Sequence, residues 1–454
     1  MKTKLFLFFL LLVAATQLKA NNMLVKNVTT TGDNVANKTI QVQFDMSWDN
    51  SWRDAINWDA AWVFMKYKDA NGLWQHVQLN TTGFANGTGT ANTIQVGSDK
   101  VGAFVYRSVA GTGTFGATTI QLQWNYGLSG LTSVTGLEVR VFAVEMVYVP
   151  QGDFTIAPTF TVYKENNYDN VLLNFYAPGN NIPVINNRLS PTLTYYDLTN
   201  TATVRIKGDA GIDTDNNGTV DVTNYPTGYN AFYCYKYELT EQQYADFLNT
   251  LTEAQKTTLG VAGTNIKLTN GDYFSSSPTK ACGNSTPIRL LAFADWSGVR
   301  PMTILEFNKA SYGPLFPISS QTYNYINQRY HVFYPIGVNY NSIRGVWNSD
   351  IYNVDLSKII EVGSYAKATS SRLESGGTYY GMMDFTGNVM EPCVNLPSYT
   401  FTNANGNGVL GTTGATDVTT WQNPIIIYIE QSDWIYNSYG NLTHGGFRYV
   451  RSAE

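Results

Sequence analysis

The stretch that decides the fold is Gly381–Cys393, G-M-M-D-F-T-G-N-V-M-E-P-C, with a predicted tight turn at Thr386–Asn388. The run is too apolar for a surface loop and too rich in glycine for a helix interior. We therefore predict irregular backbone that crosses a core, where its N–H and C=O groups need internal partners. Asp384, Asn388 and Glu391 are the side chains that could provide them.

Four further stretches occur in the order of motifs from one known family. They are Met146–Phe154 (M-V-Y-V-P-Q-G-D-F), Tyr237–Leu248 (Y-E-L-T-E-Q-Q-Y-A-D-F-L), Arg300–Phe307 (R-P-M-T-I-L-E-F) and Gly446–Arg448 (G-F-R). With Gly381–Cys393, which resembles G-L-Y-D-M-x-G-N-V-W-E-W, they make residues 143–454 similar to the formylglycine-generating enzyme (sulfatase-modifying factor) family. The resemblance implies a loop-rich, C-type-lectin-like domain. With the all-β segment before it, the expected fold class is α+β.

The resemblance also implies a structural calcium site on the Gly381–Cys393 stretch. Its ligands would be side-chain and backbone oxygens of Asn388, Val389 and Glu391, the hard donors that calcium prefers. The alternative stays open that Asn388 satisfies turn amides while Glu391 meets Arg300 or Arg448.

Two helices are predicted from capping boxes, T-x-x-Q at Thr240 and T-x-x-E at Thr303. In the family, an arginine just before the second helix and the glutamate inside it hold the core by ion pairs. The resemblance therefore gives Arg300, Glu306 and Arg448 structural roles, and a buried charge needs such a partner in any case.

The first residues predict export. Met1–Ala20 has a basic start, an apolar Leu5–Ala15 run and a cleavage site at Leu18–Ala20, which together are typical of a secretory signal peptide. The apolar run is too short to span a bilayer, and no later stretch is apolar enough to do so. We expect a secreted protein, in the periplasm, on the outer surface or outside the cell.

Residues 21–142 predict an all-β domain, a β-sandwich. Thr39–Met46 and Thr118–Trp124 alternate polar and apolar residues with a period of two. The tryptophans of Ser47–Arg53 and Asn57–Phe64 have two interpretations. Exposed, they would form a sugar-stacking platform; buried, they would fill the core with Asp49 and Arg53 paired above them. The second interpretation is favoured.

An insertion at about residues 156–230 carries a second candidate calcium site. The pattern D-x-D-x-N-G resembles an EF-hand loop, although position twelve is asparagine rather than glutamate. A solvated turn without metal is the alternative. The candidate ligands are Asp213, Asp215, Asn217, Thr219 and Asp221.

The three cysteines leave two possibilities. An odd count in an oxidising compartment suggests one disulfide, for which Cys234–Cys393 is our first choice, while three buried thiols are the alternative. The family's copper-binding cysteine pair and its R-G-G-S-W motif have no counterpart in residues 395–454. The three histidines lack iron-site spacing, so no copper or iron is expected.

Three functional hypotheses follow. The first is an exported, non-catalytic binding or scaffolding module, similar to surface proteins of Bacteroidota-type bacteria, with an unknown protein or glycan partner at the cell surface. The second is a variable C-type-lectin-like ligand-binding protein, and the third a formylglycine-generating oxidase acting on sulfatase cysteine. With a net charge of −5 and no basic cluster, nucleic acid is not an expected partner. The predicted ligand-binding residues are Trp421, Trp434, Tyr436, Asn437 and Tyr439.

Overall fold

The computed structural model describes part of the chain. The described residues are 22–155, 160–163, 170–174, 184–185, 194–197, 203–205, 225–314, 359–364, 377–385, 388–394, 400–421, 424, 426–429, 435–436 and 445–454. The predicted signal peptide, the Asp213–Asp221 loop, Thr386, Gly387, Trp434, Asn437 and Tyr439 lie outside them. The predictions made for those residues stay predictions.

The described chain is predominantly β-structure arranged in several sheets, with a few short helices. The strands are β1 Leu24–Asn34, β2 Thr39–Arg53, β3 Asp59–Lys68, β4 Trp74–His76, β5 Thr88–Gly89, β6 Asn92–Val96, β7 Gly102–Arg107, β8 Gly111–Asn125, β9 Val139–Val149, β10 Phe154–Thr155, β11 Phe160–Tyr163, β12 Asn170–Asn174, β13 Val184–Ile185, β14 Thr194–Asp197, β15 Thr203–Arg205, β16 Phe232–Tyr235, β17 Ile266–Thr269, β18 Asp272–Ser275, β19 Arg300–Thr303, β20 Glu391–Val394, β21 Ile426–Ile429, β22 Ile435–Tyr436 and β23 Tyr449–Ser452. The helices are α1 Glu241–Leu248, α2 Glu253–Leu259, α3 Pro287–Ser297 and α4 Ile304–Tyr312.

Two sheets carry most of the architecture. The smaller has the strand order β1-β2-β8-β5, and the larger has eleven strands in the order β22-β21-β20-β19-β23-β16-β9-β3-β7-β6, with β4 paired to β3. Smaller sheets join β10 to β13, β17 to β18, and β11 through β12 and β14 to β15. The predicted strands at Thr39–Met46 and Thr118–Trp124 lie within β2 and β8, which are antiparallel neighbours.

Strand β3 separates two hydrophobic cores because both of its faces are buried. Ala61, Val63 and Met65 point into a core shared with β2, β7 and β8. The alternate residues, Trp62 among them, point into a second core that α1, α3 and α4 close from the other side. Because successive side chains of a strand point to opposite faces, the residues of β3 alternate between the two cores.

Strand β9 joins the two parts of the chain. It pairs with β3 along Val139–Val147 and with β16 along Met146–Val149. A boundary between residues 142 and 143 falls inside this strand, so the segments on either side share hydrogen bonds and a core. The domain division stays a prediction.

Both predicted capping boxes are confirmed. The side chains of Thr240 and Thr303 accept from the backbone N–H three residues on, and Gln243 and Glu306 bond back to the cap. The structure has two further helices that the sequence analysis missed, α2, capped by Thr252, and α3, capped by Thr286. Among the described residues, no helix combines the length and apolarity needed to cross a membrane.

The stretch at Gly381–Cys393 crosses the core as predicted. Met382, Phe385, Val389 and Met390 are buried, and the backbone of residues 381–385 and 388–390 is irregular, with β20 beginning at Glu391. Asp384 and Asn388 adopt left-handed conformations, with φ of 57° and 62°. These residues position the polar groups described next.

Candidate functional site

The polar side chains of this stretch bind buried backbone groups. Asn388 Oδ1 accepts from the N–H of Ile360 at 2.9 Å, and Asp384 Oδ2 accepts from that of Gly363 at 2.5 Å. Asn388 Nδ2 donates to Glu238 Oε2 at 2.6 Å, and the N–H of Val389 donates to Glu238 Oε1 at 3.1 Å. Sequence reasoning missed Glu238, which lies in the Tyr237–Leu248 motif far along the chain.

Three buried carboxylates surround one arginine here. Arg448 approaches Glu391 Oε1 at 3.3 Å and also donates to the carbonyls of Met383 and Asp384. Burial raises the pKa of Glu391 to about 8, and burial with the nearby Asp384 charge raises the pKa of Glu238 well above its usual range. One guanidinium cannot balance three carboxylates, so the cluster favours an additional proton.

The calcium ligands implied by the resemblance are engaged with protein partners in this arrangement. Asn388 Oδ1 and Glu391 Oε1 already accept hydrogen bonds, as in the alternative in which Glu391 meets Arg448. Within the described residues, no group of three or more histidine, cysteine or acidic side chains is placed to hold a metal ion. Calcium at Asn388, Val389 and Glu391 would have to compete with the hydrogen bonds from Ile360 and Arg448. Calcium there stays a prediction for experiment.

Arg300 and Glu306 form a buried bidentate ion pair, with N–O distances of 2.7 and 2.5 Å. Glu306 also accepts from the N–H of Thr303, so one carboxylate both caps α4 and neutralises the arginine. The pair lines a polar cavity of about 300 Å³ together with Tyr225 and Ser452. Since Arg300 and Glu306 bond each other, their contacts agree with the structural role that the resemblance implies.

The predicted disulfide is not formed. Cys234, Cys282 and Cys393 are all buried and free. Cys234 lies in β16 and Cys393 in β20, and β19 and β23 separate these strands in the sheet. A disulfide requires Cα atoms about 4.4–6.8 Å apart, which suits directly neighbouring strands. The alternative of three buried thiols describes the structure.

The predicted ligand-binding aromatics do not form a described surface. Trp421 is fully buried and stacks near Phe401, with ring centroids 6.3 Å apart, so it cannot be the wall of an exposed site. Tyr436 contributes backbone to β22, opposite Tyr428. The remaining three residues lie outside the described part of the chain.

The N-terminal tryptophans divide between the two interpretations. Trp48 and Trp62 are buried in the cores, whereas Trp52 is only half-buried. The predicted pairing of Asp49 with Arg53 is wrong. Asp49 accepts from Asn22 and Thr114, and the Arg53 guanidinium lies 4.1 Å above the Trp58 ring, where cation–π attraction holds it.

Trp52 lies in a cleft that we name the aromatic cleft. Its volume is about 470 Å³, within the usual range for small-molecule sites. Three segments distant in sequence form it, which explains why no motif revealed it. Its lining residues are Asn50, Trp52, Asp54, Asn57, Lys236, Tyr237, Tyr380, Gly381 and Met383.

Hydrogen bonds and one close backbone approach position the walls of the aromatic cleft. Trp52 Nε1 donates to Asn57 Oδ1 at 3.1 Å, and Asn57 Nδ2 donates to the carbonyl of Tyr148 at 2.9 Å. Gly381 has φ of +96°, and a Cβ there would lie 2.9 Å from the Trp52 indole. Glycine at this position therefore lets the Gly381–Cys393 stretch pack directly against the ring.

A buried charge cluster forms the floor of the aromatic cleft. The ammonium of Lys236 pairs with Glu145 and lies 3.7 Å from Asp59 Oδ2. It also lies 4.7 Å from the Trp52 ring centroid and 5.4 Å from that of Tyr237. Burial raises the pKa of Glu145 to about 8, while the two carboxylates raise that of Lys236 against the effect of burial.

Comparisons of the chain with protein-family models, with curated proteins and with solved structures give no match.

Proposed function

We propose that this chain is an exported, non-catalytic binding module, built of an N-terminal β-sandwich and a sulfatase-modifying-factor-like domain with a C-type-lectin-like fold. Its partner is a glycan or protein at the cell surface. The five ordered motifs support the family relationship. The observation that carries the binding role is the aromatic cleft, a concavity formed jointly by Trp52, Lys236 and Tyr380.

The state of the thiols supports a non-catalytic role. Burial raises the pKa of Cys234 to about 12 and raises those of Cys282 and Cys393 well above the usual range. Thiol chemistry of the oxidase type proceeds through thiolates, and buried thiols of high pKa are inert.

The test is binding of the secreted protein, residues 21–454, to arrays of glycans and of surface proteins, using Trp52→Ala and a matched control. Trp74→Ala is the control, because Trp74 is also half-buried but pairs with Lys68 at the other end of β3. We expect Trp52→Ala to weaken binding at least tenfold and Trp74→Ala to leave it unchanged.

Two outcomes would overturn the proposal. Binding that is lost only in Trp434→Ala and Tyr436→Ala would favour the variable ligand-binding hypothesis. An aldehyde product, detected by mass spectrometry after incubating a sulfatase-type cysteine peptide with the protein, copper and oxygen, would establish the oxidase.

A further inference from the structure

We infer that the ligand of the aromatic cleft is an uncharged saccharide; the inference rests on the proposed function, since it names the ligand class of the same site. The charges in and beneath the cleft support this inference. They disfavour cationic, anionic and purely apolar ligands in turn.

A cationic ligand would find a cation already held beside the aromatic rings. Aromatic walls attract cations through their π faces. Here the ammonium of Lys236 lies over both Trp52 and Tyr237, and it is fixed by Glu145 and by the carbonyl of Asn50 at 3.3 Å. A second cation would meet a like charge at close range.

An anionic ligand would find no net positive charge. Lys236 is the one basic residue among the described lining residues, and the buried carboxylate of Asp59, 3.7 Å away, offsets its charge. Asp59 is fixed as an acceptor by Trp48 Nε1 at 2.8 Å and Ser51 at 2.9 Å. The exposed carboxylate of Asp54 adds negative charge at the rim.

A purely apolar ligand would strip water from polar groups without replacing their hydrogen bonds, which is costly. Asp54 Oδ1 accepts hydrogen bonds from the N–H groups of Ile56 and Asn57, whereas Oδ2 has no bond among the described residues.

A pyranose has both an apolar face and hydrogen-bond donors, which match the aromatic and polar parts of the cleft. Its C–H face packs on the Trp52 ring and its hydroxyls donate to the Asp54 carboxylate.

The experiment titrates the secreted protein, residues 21–454, with neutral sugars and with charged counterparts of the same ring. The neutral probes are methyl glucoside, methyl mannoside, cellobiose, maltose, mannobiose and xylobiose; the charged probes are methyl glucuronide and glucosamine. Calorimetry gives the affinity, and quenching of tryptophan fluorescence reports contact with Trp52. We expect at least one neutral probe to bind and both charged rings to bind at least tenfold more weakly.

Variants separate loss of the ligand from loss of the fold. Trp52→Phe keeps a ring but loses the bond to Asn57, and Asp54→Asn keeps the oxygen that caps the turn. Both are expected to weaken sugar binding several-fold, and Asp54→Asn to do so with an unchanged Tm. Trp74→Ala is expected to bind like the parent protein.

If a charged ring binds best and needs Trp52, the saccharide is charged, so this inference fails while the proposed function stands. If no sugar binds but a surface protein does so through Trp52, the ligand class is wrong and the site is right. If no probe depends on Trp52, both fail.

Discussion

Glu145 shares one cation, the ammonium of Lys236, with a second carboxylate, Asp59. Its pKa of about 8 in the folded protein lies above the ordinary value of 4.5. A raised carboxyl pKa means that the folded state binds the proton more tightly than the unfolded state does. The resulting stabilisation is fully present below pH 4.5 and is lost as the pH rises through about 8.

We therefore predict that the free energy of unfolding of the parent protein falls relative to that of Glu145→Gln between pH 5 and 8. Glutamine mimics the protonated acid and does not titrate, and the slope for one proton is at most about 1.4 kcal/mol per pH unit. The difference between the two proteins is the quantity to measure, because His76, Lys66 and Lys309 also have shifted pKa values. Denaturant unfolding at five pH values gives it, and a constant difference would contradict the prediction.

Sequence reasoning about individual side chains succeeded where the partner lay nearby in the chain. Arg300 and Glu306, placed by one motif, are bonded to each other. Trp421 shows the reverse. Its partner Phe401 lies 20 residues earlier in a Gly- and Asn-rich segment, and Gly406 of that segment packs against the backbone of Asp295. Burial of an aromatic residue depends on such distant contacts, which the local sequence does not record.

The local sequence contains an N-cap signal for each of the four described helices, but only two of these signals were used to predict helices. The T-x-x-Q pattern that identified α1 recurs at Thr252, which caps α2, and Thr286 followed by Pro287 begins α3. The Gly381–Cys393 stretch was predicted to be irregular, but the segment that it bonds was not predicted. Residues 359–364 depend on Asn388 and Asp384 for their hydrogen bonds, so their path is set by contacts across the fold.

The two candidate calcium loops give different expectations. Calcium that binds only the native state must raise the Tm. We predict that millimolar calcium, added after chelation, raises the Tm of the parent protein and of Asn388→Ser but not of Asp213→Asn. The oxygens around Asn388 already have protein partners, whereas the Asp213–Asp221 pattern matches a calcium loop.

Differential scanning calorimetry measures these shifts, with magnesium as the control ion. An unchanged Tm in the parent protein would make the Asp213–Asp221 segment a metal-free turn. Loss of the calcium effect in Asn388→Ser would instead place the ion at the Gly381–Cys393 stretch.

Across the whole molecule, the shared sheet makes each part of the chain depend on the other. A fragment of residues 21–142 lacks the β9 residues that pair with the first half of β3, and it leaves Trp62 and Phe64 without their covering helices. We predict that this fragment does not unfold cooperatively on its own, because exposing two large aromatic side chains costs about 1.5–3 kcal/mol each.

Thermal unfolding followed by near-ultraviolet circular dichroism checks this expectation. Fragment 21–152, which contains all of β9, is the matched control and should gain structure only when mixed with residues 153–454. A cooperative transition of 21–142 at the Tm of the intact protein would establish an independent domain.

Strand β23 fills the gap between β16 and β19, although it is made after both. Until residues 449–452 leave the ribosome, β16 and β19 each have an unpaired edge, and such edges invite aggregation. At roughly 5–20 residues per second, the wait after β19 is on the order of ten seconds. For a chain that is exported, as we propose, this delay is useful. The polypeptide cannot complete its largest described sheet until residues 449–452 are made, and a chaperone that masked the open edges would keep the chain unfolded until translocation.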